Sequence, residues 1–455
     1  MYNNSLRQDL LSIWAAGVEA VRSEQLMRQS VQCDRRQLTV CGQQWLLSDI
    51  GRIVVVGAGK AGAGMAAALE EILGPELVAS RVTGLVNVPA DCVRTLSRIT
   101  LHPGRPAGMN EPTESGVAGT QAILSLVDSL QPKDLCLVLL SGGGSALSPA
   151  PIPGISLSDK QLVTRFLMSA GATIQELNSV RKRLSLFKGG GLARACRTGR
   201  MTTLIISDVV GDPLDIIASG PTVLDPTTPQ DALEILRHFG ATPPAVPQSV
   251  FDVLARAAQT WQPPAPLPET IRNVVIGNNA RALTAAATKA RELGYSVESL
   301  GSDNQGEANS IGEDLFRRCQ TAVRRKPWDT PSPLCLLSGG EPIVKLPSSK
   351  SPRKGGRNQQ LVLAALNAAW REDPAEIERI GILSGGTDGE DGPTDAAGAW
   401  LDADVLRAVQ QASLDPSAFL IDCNAYPFFE RCGGLIKTGP TNTNVMDLRV
   451  ALIRS

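Results

Sequence analysis

The 455-residue chain has little histidine and almost no net charge, and it lacks several diagnostic motifs. A formal net charge of -1 leaves no basic footprint for nucleic acid and no strongly basic membrane surface, so any anion site must be local. Nine cysteines without a C-x-x-C pair fit reduced thiols in a cytosolic-type compartment rather than a disulfide framework or a zinc site. The longest uncharged run, Leu135 to Ser158, carries too many Gly, Pro and Ser residues to be a spanning helix. Arg7, Asp9 and Glu19 interrupt the apolar positions a secretory signal needs, while an organellar presequence stays open. Neither G-x-x-x-x-G-K-[ST] nor the protein-kinase signature set occurs, and no low-complexity tract or solenoid repeat is visible. Of the two histidines, His238 sits in a helical Leu-Arg-His-Phe context as a surface or core residue, and His102 follows a strand as a candidate to line a cleft.

What is present is ordinary for a globular protein: 43% hydrophobic and 20% charged residues. The length exceeds what one core usually fills, so two domains are expected. The composition shifts in a Pro-rich stretch at 241–268, which puts the boundary between 1–245 and 246–455.

The chain is organised around Ile53 to Gly64. Ile53 to Val56 form an apolar run suited to a strand buried on both faces, and Gly57, Gly59 and Gly62 follow with the spacing G-x-G-x-x-G. A helix starts near Ala61, so its first N–H groups are expected to face an anion, with Lys60 inside the turn to reach it.

Before this stretch, residues 5–23 have the spacing of an amphipathic helix, expected to pack on the first sheet. After it, strands and helices alternate. Strands are expected at 82–88, 98–101, 135–140 and 203–206, and beyond the boundary at 274–276, 296–300, 335–337, 380–383 and 448–453. Helices are expected at 111–129, 157–170 and 173–187, then to residue 293, to about 325 and from the basic glycine loop at 353–357 to Trp370. This alternation predicts an α/β fold, with a largely parallel, doubly wound first sheet and a second α/β domain.

Ligands of such sheets bind beyond the carboxyl ends of the strands. Three Ser-Gly-Gly turns are predicted there, at Ser141, Ser338 and Ser384. Glycines allow close backbone approach and serines add donors, so Ser141, Gly142, Gly143, Gly144 and Ser145 read as an oxyanion or phosphate cradle. Carboxylates cluster after two strands, as Asp208 with Asp212 and in the loop carrying Asp388, Asp391 and Asp395. Hard oxygen ligands beside a phosphate cradle suit magnesium, and the spacing is wrong for a calcium EF-hand. Arg357, at a helix start after two glycines, suits a bidentate clamp on a carboxylate or phosphate. Arg181 and Lys182 read equally well as a solvated helix face. A nicotinamide site would require an acid at the end of the second strand, where Asn87-Val88-Pro89 stands instead.

Taken together, these segments resemble class II glycerate kinases. The resemblance rests on G-A-G-K-A at 57–61, L-L-S-G-G-G-S-A-L at 139–147, P-A-P-I-P at 149–153, G-A-T-I-Q-E-L-N at 171–178, V-R-K at 180–182 and K-G-G-G-L-A at 188–193. It continues through S-D-V-V-G-D-P at 207–213, I-A-S-G-P-T at 217–222, G-G-R-N-Q at 355–359, S-G-G-T-D-G-E-D-G-P-T-D-A-A-G-A at 384–399 and T-G-P-T-N-T-N-V at 438–445. The forms V-V-G-D-P and K-G-G-G-L-A are similar to animal-type members.

The resemblance implies a Rossmann-like N-terminal domain, a C-terminal α/β domain and a site in the cleft between them. It implies transfer of the ATP γ-phosphoryl group to D-glycerate, giving 2-phosphoglycerate. Carried onto this chain, Lys60, Arg357 and Asp208 are the catalytic residues, and Asp208, Asp388, Asp391 and Asp395 the magnesium ligands. Gly57, Gly59, Ser141 to Ser145, Lys188, Ser338, Gly339, Gly340, Glu341, Ser384, Gly385 and Thr387 are the expected substrate and phosphate contacts. ATP and Mg2+ are the implied cofactors, and D-glycerate and ATP the partners, with no nucleic acid and no membrane; a homodimer is left open, and the expected location is cytoplasmic. The alternatives are a nicotinamide-dependent hydroxypyruvate reductase and a non-catalytic sugar-acid binding protein. Two departures stand out: His102-Pro103-Gly104-Arg105-Pro106 replaces the usual His-Pro-x-Pro-Asp, and Asn442 stands where glycine is common.

Overall fold

The computed structural model describes residues 3–109, 111–324, 333–347 and 353–454. They form two compact units: an N-terminal unit, Ser23–Ile276, and a C-terminal unit made of Met1–Arg22 and Gly277–Ser455. Among the described residues no helix is long and apolar enough to cross a membrane.

The N-terminal unit opens with a small antiparallel sheet, β1 (Val31–Cys33), β2 (Gln37–Val40) and β3 (Gln43–Leu46), which the sequence reading did not anticipate. Cys41 and Gly42 both have positive φ between β2 and β3, the two-residue turn whose twist matches a hairpin. Its main sheet contains β4 (Ile53–Ala58), β5 (Val82–Pro89), β6 (Ile99–Arg105), β7 (Leu135–Leu140), β8 (Met201–Ile206) and β9 (Ile271–Gly277), in the order β6-β5-β4-β7-β8-β9. Pairing is parallel from β6 through β8. Every residue of β4, β7 and β8 is buried, as their unbroken apolar runs predict for strands covered on both faces. Helix Glu114–Asp128 covers one face with Ile123, Leu124 and Val127, packed into a core that includes Val54, Val56 and Val138.

The C-terminal unit holds β10 (Ser296–Ser299), β11 (Leu334–Gly340), β12 (Ile380–Gly386), β13 (Gly398–Leu401), β14 (Leu435–Ile436) and β15 (Asp447–Ile453). Their order is β10-β11-β15-β12-β13-β14. Only β10 and β11 pair in parallel; β15 runs antiparallel between β11 and β12. The parallel pattern of the first sheet therefore does not extend to the second. Helix Ala308–Arg324 runs to the last described residue of its segment, and its expected end at about Arg325 lies outside the described residues.

Two expectations are corrected. The first helix, Asn3–Glu19, packs on the second sheet, not the first: Leu6, Leu10, Ile13 and Trp14 share a core with Leu383, Leu448 and Val450. Helical spacing identifies the apolar face but not the sheet that receives it. Likewise β9, placed beyond the expected boundary at 245, is the edge of the first sheet.

Candidate functional site

In the N-terminal unit the site is built at the carboxyl ends of the adjacent strands β4, β7 and β8, which carry Lys60, Ser141 to Ser145 and Asp208 respectively. Gly57 lets β4 and β7 close together, since a Cβ there would stand 2.1 Å from the Leu139 carbonyl. Gly59 adopts φ +150°, and a Cβ would meet Ser141 Oγ at 2.1 Å. The turn is held from inside. The Gly59 N–H donates to Asn87 O at 3.1 Å, Lys60 N–H to Gly142 O at 2.9 Å, Ala61 N–H to Ser141 Oγ at 3.0 Å and Gly62 N–H to Gly59 O at 3.1 Å. The expectation that the helix start offers its N–H groups to an anion is narrowed: those of 59 to 62 are spent within the protein, and among the described residues Ala63 and Gly64 in the first turn have no acceptor. The product of the turn is the position of the half-buried Lys60 side chain.

The serine-glycine turn after β7 differs. Ser141 donates its N–H to Ala58 O, and Gly144 donates back to Ser141 O. Among the described residues Gly142 and Gly143 have no acceptor for their N–H groups, which suits an oxyanion cradle. Gly143, at φ +76°, leaves room for the buried Arg105, whose Nη2 lies 3.1 Å from where a Cβ would be. Lys188 is buried and donates from Nζ to the Ser145 carbonyl at 2.7 Å and to Ser145 Oγ at 2.8 Å. Burial, then the Arg181 and Lys160 charges, holds its pKa far below the usual lysine value. Asp208 follows β8 in a half-buried turn that Gly211 and Asp212, both at positive φ, bend back.

In the C-terminal unit, antiparallel β15 brings Asp447 opposite both Gly340 and Gly386, and Arg449 opposite both Ser338 and Ser384. Two Ser-Gly-Gly segments thus flank one strand. Asp447 is fully buried and takes a bidentate pair from Arg357, Nε to Oδ2 at 2.8 Å and Nη2 to Oδ1 at 3.1 Å. The other side of the guanidinium donates to the exposed Glu341 at 2.5 Å. Burial opposes the Arg357 charge, but Asp447 and Glu341 outweigh it and raise its pKa above the ordinary value. Arg449 lies beneath, 3.1 Å from Ser338 Oγ and 3.3 Å from Gly340 O.

Several expected contacts are occupied by the protein itself. Ser384 Oγ donates to Asn358 Oδ1 at 2.5 Å, Gly385 O accepts from Trp14, and Thr387 Oγ1 bridges Met446 O and the Val445 N–H. All three are buried. Gly339 approaches Asn279 so closely that a Cβ would overlap its amide, and Ser338 serves Arg449. Ser384, Gly385 and Thr387 thus build the sheet end, whereas Ser338 Oγ, accepting from Arg449, keeps its own proton to donate.

The carboxylates divide in the same way. Asp391 is buried at the start of helix Arg357–Ala369, where its oxygens accept the Asn358 N–H at 3.0 Å and the Gln359 N–H at 2.8 Å. Gly356 makes that approach possible, since a Cβ would sit 2.2 Å from Asp391 Cγ. Burial pushes the Asp391 pKa up to about 7, with the two N–H bonds working the other way. Asp395 accepts Tyr426 Oη at 2.6 Å and Lys437 Nζ at 2.9 Å, and these two donors pull its pKa down to about 2. Neither is set as a metal ligand, because its oxygens already serve protein donors. Asp388 turns back on its own loop, accepting the Glu390 N–H at 3.1 Å. Among the described residues no group of three His, Cys, Asp or Glu side chains is arranged to hold a metal ion.

Two family models match this chain: a domain of unknown function (DUF4147) over residues 9–255, and the MOFRL family over residues 334–447. The glycerate kinase of Danio rerio is 37% identical over 99% of this chain and 98% of its own length. The chain belongs to the glycerate kinase family. A crystal structure of the glycerate kinase of Thermotoga maritima, 32% identical, covers 99% of this chain and 100% of its own with a TM-score of 0.82. A putative hydroxypyruvate reductase of Agrobacterium vitis is 39% identical over 89% of this chain and 100% of its own length.

Within the glycerate kinase family frame, both departures have a structural account. Asn442 adopts φ +59°, so the turn keeps the left-handed conformation that glycine serves, and asparagine is the residue that best replaces it. His102 is tied to Ser115 O at 2.9 Å and serves helix Glu114–Asp128 rather than a ligand. The sequence reading missed Asp447, Arg105 and Ser219. Nothing in Met446-Asp447-Leu448 marks the aspartate; only strand pairing reveals it.

Proposed function

We propose that this chain transfers the γ-phosphoryl group of ATP to D-glycerate, giving 2-phospho-D-glycerate and ADP. The observation that carries the reading is the Gly57 to Gly62 turn, whose N–H groups from 59 to 62 are consumed internally so that a lysine is presented at the strand ends. Phosphoryl transfer requires alignment and neutralisation of charge on the transferring group, with little covalent chemistry from the protein. Lys60 supplies a compact ammonium for the phosphoryl oxygens, and Arg357 a planar fork whose orientation Asp447 locks. Gly142 and Gly143 N–H groups, with Ser145 and Lys188, hold an oxyanion of the substrate. Asp208 accepts the proton of the attacking hydroxyl.

Magnesium suits the acidic loop after β12. Asp388 is the carboxylate that would hold it there, in keeping with a cation that takes one or two carboxylates plus phosphate oxygens. Bound there, it would neutralise phosphate charge. Nine cysteines, none in a disulfide, support a reducing, cytoplasmic location.

The relative named as a putative hydroxypyruvate reductase keeps a second reading in view. Against it, β5 ends in Asn87-Val88-Pro89 without a ribose-binding acid, and Asn87 is buried, donating to Leu147 O at 2.8 Å. One assay separates the readings: D-glycerate with Mg-ATP, followed by ADP release, beside hydroxypyruvate with NADH, followed by NADH loss. ADP formation without NADH oxidation is expected. The reverse result favours the reductase, and neither signal leaves a sugar-acid binding protein.

A further inference from the structure

Helix Ile174–Arg183 ends in Arg181-Lys182-Arg183, and the three cations have different surroundings. Lys182 lies 3.3 Å from Asp215 and 3.7 Å from Asp225, and Arg183 pairs with Asp225. Arg181 has no carboxylate. Its Nη2 donates to Ser145 Oγ, and its Nη1 lies 3.5 Å from Asn178 Oδ1. Lys188 donates to the same Ser145 hydroxyl and carbonyl, and the buried Lys160 donates to Leu184 O at 2.8 Å.

Among the described residues none of these three cations has an ion-pair partner. Buried charges are normally paired, and a neutral hydroxyl stands where a carboxylate is expected. Ser145 Oγ, accepting from two cations, has its own proton for Ser219 Oγ at 2.9 Å, which in turn donates to Asn178 Oδ1 at 3.1 Å. Ser219 is held there by backbone strain: Ala218 and Ser219 are consecutive non-glycine residues at φ +50° and +61°. Strain of this kind persists where surrounding structure over-determines a functional geometry. Burial lowers the pKa of Arg181 to about 10 and of Lys160 to about 7, the latter with help from Arg181; no acid offsets either shift.

We propose that Arg181, Lys188 and Ser145 form an oxyanion pocket, with Lys160 as a flanking charge and Ser219 and Asn178 as its frame. The ligand is a carboxylate or phosphoryl group that supplies the missing negative charge. Assigning that group to the acid substrate or the nucleotide rests on the kinase reading; the pocket itself does not.

The test uses the full chain and its Arg181→Met and Arg181→Lys variants, with Lys188→Met as a second probe should Arg181→Met fail to fold. Thermal midpoints are followed against inorganic phosphate and, separately, D-glycerate at constant ionic strength. Wild type is expected to gain stability with at least one anion, and Arg181→Met to need about 10- to 100-fold more of it, the weight of a charge-assisted hydrogen bond. Arg181→Lys recovers part of the loss. In steady-state assays the KM for D-glycerate rises in Arg181→Met if the pocket holds the carboxylate, and the KM for ATP rises if it holds a phosphoryl group. No anion-dependent shift in wild type, or unchanged shifts and unchanged KM values in a folded Arg181→Met or Lys188→Met variant, overturns the pocket. An Arg181-dependent phosphate shift in a protein without ADP release leaves the pocket standing and removes the kinase reading.

Discussion

Lys60 donates its backbone N–H to the Gly142 carbonyl at 2.9 Å, so the turn that presents the lysine and the serine-glycine turn after β7 are one hydrogen-bonded unit. The G-x-G-x-x-G turn spends its N–H groups from 59 to 62 within the protein and carries the half-buried Lys60 side chain.

Lys60→Met is expected to lower kcat by about 100-fold or more, the scale for losing one preorganised charge-stabilising donor. It should still fold and melt cooperatively, because the backbone bonds of the turn do not involve the side chain. Parallel ADP-release kinetics and circular dichroism melts check both halves. Near-normal turnover would remove Lys60 from the mechanism.

Gly57→Ala tests the close approach of β4 and β7. The new Cβ would meet the Leu139 carbonyl at 2.1 Å, and backbone in a central strand pair cannot easily yield. A loss of about 1–3 kcal/mol is expected from denaturant titration, the range for overpacking.

Arg357→Ala leaves Asp447 buried without its bidentate partner. Stability should fall by about 3 kcal/mol, as for other broken buried pairs. Glu341→Ala removes only the exposed contact, and its urea midpoint should stay close to wild type. Comparing urea midpoints of the two variants separates the structural face of the guanidinium from the accessible one.

The carboxylates are separated by their response to magnesium. Asp388→Asn is expected to raise the magnesium concentration for half-maximal rate, whereas Asp395→Asn should leave it unchanged, since Asp395 serves Tyr426 and Lys437. Asp395 also has a pH signature. Its folded pKa of about 2 lies below its unfolded value, so its stabilisation is present above about pH 4 and lost as pH falls toward 2. The stability gap between wild type and Asp395→Asn should shrink across that window.

Lys160 works in the opposite pH range. Burial takes its folded pKa to about 7 against an ordinary value near 10.4, so the unfolded chain binds the extra proton between them. Stability from this group therefore rises as pH climbs from about 7 to 10. Lys160→Met should flatten that rise in denaturant titrations at fixed ionic strength.

The elements that could be read from the chain are those whose signal is local. Leu135 to Leu140 is an unbroken apolar run and is strand over those same residues; Gly57, Gly59 and Gly62 mark the turn because only glycine allows its close contacts. Helix Leu157–Ser169 begins on Ser156, which forms a capping box with Asp159. Where two fates share one local pattern, sequence reasoning stops. Asp391 and Asp395 sit in an acidic loop that looks like a metal site, yet one caps a helix and the other holds Tyr426 and Lys437. Arg181 and Lys182 are neighbours on one helix, and only packing shows that the second is paired and the first is not.

By itself the sequence determined the alternating α/β pattern, the glycine turns and the family, because apolar period, steric demand and ordered motifs are written along the chain. Tertiary structure alone decided that Asn3–Glu19 packs on the second sheet and that β15 inserts between β11 and β12 to set Asp447 against Arg357. It also decided which charges remain without partners. Pairing and burial join residues hundreds of positions apart, and nothing in their local sequence records the partner.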